Sequence, residues 1–311
     1  MNILIYVNTK QSFSNSKIGG IEILNLNLFN FLKKKYNAIL SNKITKKISK
    51  TNWDLVISSN DAIIFNYISS KRKILWLHNK LQIEKSFRKK QFFPIIKNNI
   101  ECVFPSHYLN KETSIIYNFE RRLIIPNFLT KEFNFDKFNL YKKKNIFIWA
   151  VQRTKGLDNV INEWKTSIFR NNLDAELHIF SINNQSYKNL TKYNIFFHSR
   201  VSRRELIKFY KKSKAAICLG FDETFCLNSI ESTSMGVPII TFGFTALKEI
   251  IENKINGFIV KDYHELSNKI SYIISLNEKK FSKISKSTFN TSQKYKFKII
   301  KKKWIDLIEN N

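Results

Sequence analysis

Two carboxylates and one cation in this sequence have the types and spacing that ligand binding needs. Glu223 follows a short apolar run, Glu231 comes eight positions later, and Lys155 stands at an earlier junction between an apolar run and a helical pattern. Carboxylates accept hydrogen bonds from sugar hydroxyls, and a cation beside a helix start attracts a diphosphate. A nucleotide sugar would fit all three residues. A buried strand–helix–strand unit with two solvated glutamates explains the glutamate spacing equally well.

The glutamates are positioned by a predicted strand–helix–strand unit. Short apolar runs at 215–219 and 237–241 predict buried strands, and 225–235 predicts about two to three turns of helix. Gly236 suits the left-handed residue after a helix, and Pro238 prevents its continuation. Two strands joined by one helix predict a parallel pair with a right-handed crossover. Glu223 then lies in the loop after the first strand, and Glu231 lies in the helix.

The start of that helix is a predicted phosphate site. The N–H groups of its first turn, which include those of Phe225, Cys226 and Leu227, have no acceptor within the helix. The helix dipole also favours an anion at this end. We therefore expect these three residues to contribute to donor binding.

The run from Glu223 to Glu231, together with Ser-Met-Gly-Val-Pro-Ile-Ile at 234–240, resembles the Glu-x7-Glu signature of retaining glycosyltransferases of family 4, which have the GT-B fold. Thr224 and Cys226 stand where the family has glycines, and their side chains leave less room in the loop that would line the donor pocket. The similarity continues through the segment 247–260. The resemblance implies that Glu231 binds the ribose of a sugar nucleotide and that Glu223 binds the donor sugar.

Other segments of the family pattern are also similar. Arg153-Thr154-Lys155-Gly156 resembles its Gly-Arg-x4-Lys-Gly segment with a contracted spacing, which implies that Lys155 and Arg153 contact the diphosphate. The Gly-Gly-x-Glu that contains Gly20 resembles the loop that opens the first helix in the family, where it faces the donor and the acceptor. His78 ends a predicted strand, in a run that resembles the family segment with a histidine near the acceptor. A surface lysine, an ordinary loop and a structural histidine are the alternatives for these three.

Composition limits the class of protein. The chain has 311 residues, 53 basic against 24 acidic, and a formal net charge of +29. A genome of biased composition that fills solvated surface positions with lysine explains this charge, and so does attraction to an anionic partner such as a membrane, with which we expect peripheral contact. No specific nucleic-acid motif is present, so we expect no specific nucleic-acid partner.

Neither a membrane span nor a metal site is indicated by the sequence. No apolar run approaches the length that spans a bilayer, and the start, MNILIYVN, lacks the features of a signal peptide, so we expect a cytoplasmic protein. The three cysteines lack metal-ligand spacing, and no Asp-x-Asp occurs anywhere. We therefore expect no cofactor and no metal, with a nucleotide sugar as substrate.

The expected fold is α/β and of the GT-B type, with two Rossmann-like domains facing a cleft. Residues 1–140 would form an acceptor-side domain and 141–292 a nucleotide-sugar domain, with a linker near 130–144. The amphipathic segment 293–311 would be a final helix that crosses back onto the first domain.

The predicted function is hexosyl-type transfer (EC 2.4) from a nucleotide diphosphate to a glycan or lipid-linked acceptor. The resemblance implies retention of configuration, no metal, and a role in cell-surface polysaccharide or lipopolysaccharide synthesis. Two alternatives stay open at this point. One is a sugar-nucleotide 2-epimerase of the same fold, and the other is a basic, non-enzymatic protein that binds nucleic acid or a membrane.

Overall fold

The chain folds into two units in a computed structural model that describes residues 1–14, 18–180, 189–199 and 201–310. The side chain of Arg153 is not among the described parts. Unit 1 is Met1–Thr130 together with the chain from Ile300 onward, and unit 2 is Lys131–Ile299. Each unit is an α/β structure around a parallel sheet of six strands.

Unit 1 has the strand order β2-β1-β3-β4-β5-β6, and every pairing is parallel. Apolar runs such as Ile-Leu-Ile in β1 are buried, as expected for strands covered on both faces. The strands are β1 (Asn2–Val7), β2 (Asn37–Ser41), β3 (Trp53–Ser59), β4 (Ser70–Trp76), β5 (Glu101–Phe104) and β6 (Arg121–Ile124). The helices are α1 (Gly20–Leu32), α2 (Lys46–Lys50), α3 (Ile83–Arg88), α4 (Phe92–Lys97) and α5 (His107–Glu112).

The last helix, α12 (Phe297–Glu309), packs its end against the sheet of unit 1. The ring of Trp304 lies edge-on against Trp76 with centroids 4.7 Å apart. The Arg72 guanidinium donates to the carbonyl oxygens of Leu307 and Ile308 at 2.9 and 3.1 Å, which satisfies acceptors that the helix end leaves open. These contacts attach the chain's last residues to unit 1.

Unit 2 has the strand order β12-β11-β10-β7-β8-β9, again all parallel. Its strands are β7 (Ile146–Trp149), β8 (Glu176–Phe180), β9 (Ile195–His198), β10 (Ser213–Cys218), β11 (Ile239–Phe242) and β12 (Gly257–Val260). Its helices are α6 (Leu157–Glu163), α7 (Phe169–Asn171), α8 (Arg203–Lys212), α9 (Leu227–Thr233), α10 (Glu265–Ser275) and α11 (Glu278–Ser292), with a π-helix at Trp164–Ile168 between α6 and α7.

The predicted strand–helix–strand unit corresponds to β10, α9 and β11. Strand β10 pairs with β11 in parallel, with Ile217 opposite Ile240. Gly236 follows α9 with φ 65°, and a Cβ there would come within 2.9 Å of the Phe138 ring. Both the backbone conformation and the lack of space therefore favour glycine at this position. The helix is shorter at both ends than the sequence indicated.

Residues 131–144, the expected linker, pack on unit 2. The rings of Phe133 and Tyr210 lie 6.1 Å apart, and those of Phe138 and Phe289 lie 5.8 Å apart. The Lys143 ammonium donates to the carbonyl oxygen of Tyr210 at 3.1 Å, and burial lowers the pKa of Lys143 to about 7. This segment is therefore part of the core of unit 2, because its phenylalanines bury apolar area there.

Candidate functional site

Lys155 and Glu223 meet at the carboxyl edge of the sheet in unit 2. The Lys155 ammonium lies 2.6 Å from a carboxylate oxygen of Asp222 and 4.0 Å from one of Glu223. Lys155 follows β7 and the two acidic residues follow β10, its neighbour in the sheet. Ligands of open α/β sheets bind at this edge. Asp222 is 62% exposed whereas Glu223 is 8% exposed, so the lysine joins a solvated carboxylate to a buried one.

Two glycines allow this approach. A Cβ on Gly220 would lie 2.9 Å from Glu223 Oε1 and 3.2 Å from the Cβ of Lys155. Gly156 has φ 98°, and a Cβ there would meet the carbonyl oxygen of Leu219 at 3.1 Å. A larger residue at either position would push the strand ends apart and separate the lysine from the carboxylate.

The environment of Glu223 favours its neutral form more than water does. Burial raises the pKa of the Glu223 carboxyl, the Lys155 ammonium opposes that rise, and Asp222 adds to it. Because these effects oppose one another, the pKa of Glu223 is sensitive to any change in nearby charge. An anion bound by Lys155, or the loss of Asp222 as a neighbour, would change the proton affinity of Glu223.

Glu231 is almost fully buried and is paired with Arg203. The Arg203 Nε donates to Glu231 Oε1 at 2.7 Å, and the side chains are 18% and 1% exposed. Burial raises the pKa of Glu231, Arg203 opposes the rise, and the nearby Glu132 carboxylate adds to it. Arg203 starts α8 behind a Ser202 capping box, which fixes the direction in which the helix leaves. Glu231, the residue predicted to bind ribose, is therefore held in place by Arg203, a residue that the sequence analysis did not assign.

The loop before α9 is strained at Cys226. Cys226 is the N-cap residue and has φ 61°, a left-handed conformation that glycine adopts most easily. This geometry explains why the family pattern has a small residue here. Phe225 is buried with its ring 5.7 Å from that of Tyr295, and Leu227 begins the helix. Phe225, Cys226 and Leu227 thus all lie beside Glu223, at the edge where Lys155 lies.

An aromatic stack stands beside this site. The rings of Phe221 and Phe244 lie 5.7 Å apart with an interplanar angle of 17°, and both stack on the buried Phe242. Phe221 and Phe244 are 56% and 48% exposed, and Tyr263 meets Phe221 edge-on. The stack follows the ends of β10, β11 and β12 and presents two apolar ring faces at the carboxyl edge. No pattern in the sequence indicated it.

Unit 1 has a polar cavity of about 440 Å³ at the carboxyl edge of its own sheet. Glu22, one of the residues that line this cavity, accepts a hydrogen bond from the Thr9 hydroxyl at 2.9 Å. It lies two residues after Gly20, the first residue of α1. The other lining residues are Val7, Asn8, Ile21, Ser59, Asn60, Asp61, Ile63, Asn79, Lys89 and Gln91. Amide and carboxylate groups of this kind suit a hydroxyl-rich ligand.

His78 is buried in unit 1 just after β4. Its ring lies 4.6 Å from that of Trp76, and its backbone N–H donates to the side chain of Asn60 at 2.7 Å. Burial lowers the pKa of His78 to about 3, so the imidazole is neutral at physiological pH. A neutral imidazole can orient a hydroxyl by hydrogen bonding.

The predicted site residues thus separate by unit. Unit 2 contains Lys155, Glu223, Glu231 and the start of α9, and it brings Lys155 within 4.0 Å of Glu223, while Glu231 pairs with Arg203. Gly20 and His78 belong to unit 1. The side chain of Arg153 lies outside the described parts, so its predicted role stays a prediction.

Two findings of absence apply to the residues that the structure describes. No group of three or more His, Cys, Asp and Glu side chains among them could hold a metal ion. None of their helices is long and apolar enough to cross a membrane.

The family model for glycosyl transferases group 1 matches residues 130–289, about half of the chain. The chain belongs to this family. The matched region contains Lys155, Arg203, Asp222, Glu223 and Glu231, the charged residues described above in unit 2. The group 1 assignment confirms the glycosyltransferase part of the sequence-based prediction.

Solved structures share the fold at low sequence identity. The crystal structure of a glycosyltransferase from Rickettsia africae has 16% identity and a TM-score of 0.72, with 99% of each chain covered. HepE from Anabaena in complex with UDP has 14% identity and a TM-score of 0.74 over the full length of both chains. The GT-B fold that the sequence predicted is confirmed.

One protein relative is similar over part of its length. It is an uncharacterized 41.2 kDa protein in the cps region of Klebsiella pneumoniae, 24% identical over 184 residues. The alignment covers 58% of this chain but only 46% of the relative.

Proposed function

We propose that the protein transfers a sugar from a nucleoside diphosphate to a glycan or lipid-linked acceptor, with retention at the anomeric carbon. The observation that carries the proposal is the meeting of Lys155 with Glu223 at the carboxyl edge of unit 2, in the region that the family model matches. The complex of HepE with UDP supports a nucleotide donor, since its fold is the same.

The diphosphate would bind Lys155 and the start of α9. Lys155 is paired with the exposed Asp222, and a diphosphate of higher charge can replace that partner. Positive charge at the leaving diphosphate stabilises the transition state as the glycosidic bond breaks. No Asp-x-Asp is present in the sequence to hold a divalent ion, so the proposed transfer needs no metal.

Glu231 and Glu223 would bind the two sugars of the donor. The Glu231 carboxylate would accept hydrogen bonds from the ribose hydroxyls, and Arg203 opposes the rise in its pKa that burial causes. Glu223 accepts a hydroxyl of the transferred sugar and steadies it during departure. The resemblance of this run to retaining enzymes supports retention, with the acceptor entering on the face that the diphosphate leaves.

The acceptor would bind unit 1 at the polar cavity beside Glu22. His78, neutral at pH 7, does not line this cavity but donates its backbone N–H to the Asn60 side chain, which does, so it would position Asn60 for an acceptor hydroxyl. The cps-region relative supports a role in cell-surface polysaccharide or lipopolysaccharide synthesis. The protein would act in the cytoplasm, and its net charge of +29 supports reversible contact with the anionic face of a membrane.

Thermal melting with a panel of sugar nucleotides tests the proposal, because a ligand that binds only the native state raises the melting temperature. At least one donor should stabilise the protein, and the same donor should release its nucleoside diphosphate only when acceptor is added. Conversion of the donor to its 2-epimer without acceptor would establish an epimerase instead. Salt-sensitive DNA binding with no response to any sugar nucleotide would contradict an enzymatic role.

A further inference from the structure

Helices α3 and α4 of unit 1 present four large apolar side chains to solvent. Ile83, Phe87, Phe93 and Ile96 are 41%, 47%, 58% and 42% exposed. The rings of Phe87 and Phe93 lie 5.9 Å apart, and Phe87 stacks at 4.0 Å on Phe92, which is buried in the core. The exposed aromatic rings are therefore anchored by core packing, and they form a defined apolar surface. We call these four residues the α3–α4 patch.

The same two helices carry an excess of positive charge. The segment 83–97 contains five basic residues and one acidic residue, Glu84. Arg88, Lys89, Lys90 and Lys97 are exposed around the apolar side chains. Apolar groups surrounded by cations match the interface of an anionic bilayer, where aromatic rings enter the head-group region and lysines meet phosphates.

One end of the α3–α4 patch adjoins a basic cavity. Phe93, Ile96 and Lys97 lie on one face of α4, since residues three and four positions apart are neighbours on a helix. Lys97 lines a cavity of about 510 Å³ at the amino ends of β4, β5 and β6. The other lining residues are Lys71, Arg72, Lys73, Asn98, Asn99, Glu101, Glu120 and Arg121.

The basic residues of this cavity differ in what they bind. Arg72 and Arg121 are paired with the buried Glu101 at 2.7 and 3.2 Å. Lys73 and Lys97 form no ion pair with another side chain that the structure describes. Their charge is therefore available to an anion such as a head-group phosphate.

The other end of the α3–α4 patch adjoins the polar cavity of unit 1. Lys89 and Gln91, which lie between α3 and α4, are lining residues of the cavity that also contains Glu22. A bilayer that met the two helices would thus lie next to the proposed acceptor site. A lipid-linked acceptor could then keep its lipid in the bilayer while its sugar reaches the cavity.

We propose that the α3–α4 patch, with the cations of α3 and α4 and of the adjoining basic cavity, docks unit 1 on the anionic face of a lipid bilayer. Ile83, Phe87, Phe93 and Ile96 enter the interface, and Arg88, Lys90 and Lys97 contact head-group phosphates. A bilayer suits this surface better than a nucleic acid, since isoleucines neither stack on bases nor bind phosphates. The inference deepens the membrane part of the proposed function and names the surface responsible.

Flotation with liposomes tests the surface directly. Parent protein is mixed with vesicles of phosphatidylcholine alone, or with 30% phosphatidylglycerol (about one lipid in three, an anionic fraction chosen to give a strong surface potential). Two patch variants are compared with it: Phe87→Ser with Phe93→Ser, and Arg88→Gln with Lys90→Gln and Lys97→Gln. Matched control variants in unit 2 are Leu173→Ser with Ile255→Ser, and Lys279→Gln with Lys280→Gln and Lys283→Gln, which alter exposed positions of the same kind.

The expected result is binding to anionic vesicles that falls at high salt. The triple charge variant should partition roughly 100-fold less, since each cation near such a surface contributes about fivefold, and its control should lose much less. The aromatic variant should bind less than its control on the same vesicles. Patch variants that bind like the parent would overturn the surface assignment, and a parent that never floats would overturn membrane contact itself. Melting with the stabilising sugar nucleotide, measured on every variant, shows separately whether the protein is folded and whether donor binding holds.

Discussion

Replacing Arg203 by methionine should destabilise unit 2 in a pH-dependent way. Arg203→Met removes the partner of a carboxylate that is only 1% exposed, and breaking a buried ion pair on one side costs about 3–5 kcal/mol. Burial already raises the pKa of Glu231 against the opposing effect of Arg203, so the variant raises it further. When the folded-state pKa of a carboxyl is raised, the protein loses stability as the pH rises from the unfolded-state pKa through the folded-state pKa. The loss in free energy of unfolding of Arg203→Met relative to the parent should therefore be smallest in acid and largest near neutral pH.

Calorimetric melting at about pH 5 and pH 7.5 measures this effect. The first pH lies just above the usual glutamate pKa of about 4.3, and the second lies well above it. Arg203→Met combined with Glu231→Gln removes the buried charge and should recover a large part of the loss. Arg204→Met changes the exposed neighbour and should shift stability by less than about 0.5 kcal/mol. An Arg203→Met protein that melts like the Arg204→Met control at both pH values would refute the reasoning.

Three further predictions concern the donor site. Lys155→Ala should weaken nucleoside diphosphate binding by roughly 1.5–3 kcal/mol per lost charge-assisted hydrogen bond, and calorimetric titration that finds parental affinity would make Lys155 a surface residue. Glu231→Gln should weaken donor binding and abolish transfer in a protein that still folds; unchanged turnover would remove its ribose role. Transfer should persist in EDTA and give a product of retained configuration by NMR, whereas activity restored only by a divalent ion, or an inverted product, would contradict the mechanism.

Local patterns predicted the strand–helix–strand unit of unit 2 because strands, helices and turns depend mainly on neighbouring residues. The strand–helix–strand unit and the glycine after its helix were both identified from sequence, and the structure has each of them. Strands β2, β6 and β12 were not predicted. The segment of β2, Asn-Ala-Ile-Leu-Ser, is half-buried at a sheet edge, and such a strand lacks the continuous apolar run of a central one.

Side-chain pairs that join distant parts of the chain escaped the sequence analysis. Arg203 and Glu231 are 28 residues apart, and Lys155 and Asp222 are 67 residues apart. The chain is so rich in lysine and arginine that charge alone does not indicate which cation meets which carboxylate. The stack of Phe221 on Phe242 and Phe244 is another example, since the pairing of β10 with β11 brings Phe221 to the other two rings.

The structure of the protein with the nucleoside diphosphate of its stabilising donor tests the central claim most directly. We expect a diphosphate in contact with the Lys155 ammonium and the start of α9, and ribose hydroxyls within hydrogen-bonding distance of the Glu231 carboxylate. A nucleotide that binds elsewhere, or one whose ribose makes no contact with Glu231 while Arg203 keeps its place, would contradict the account.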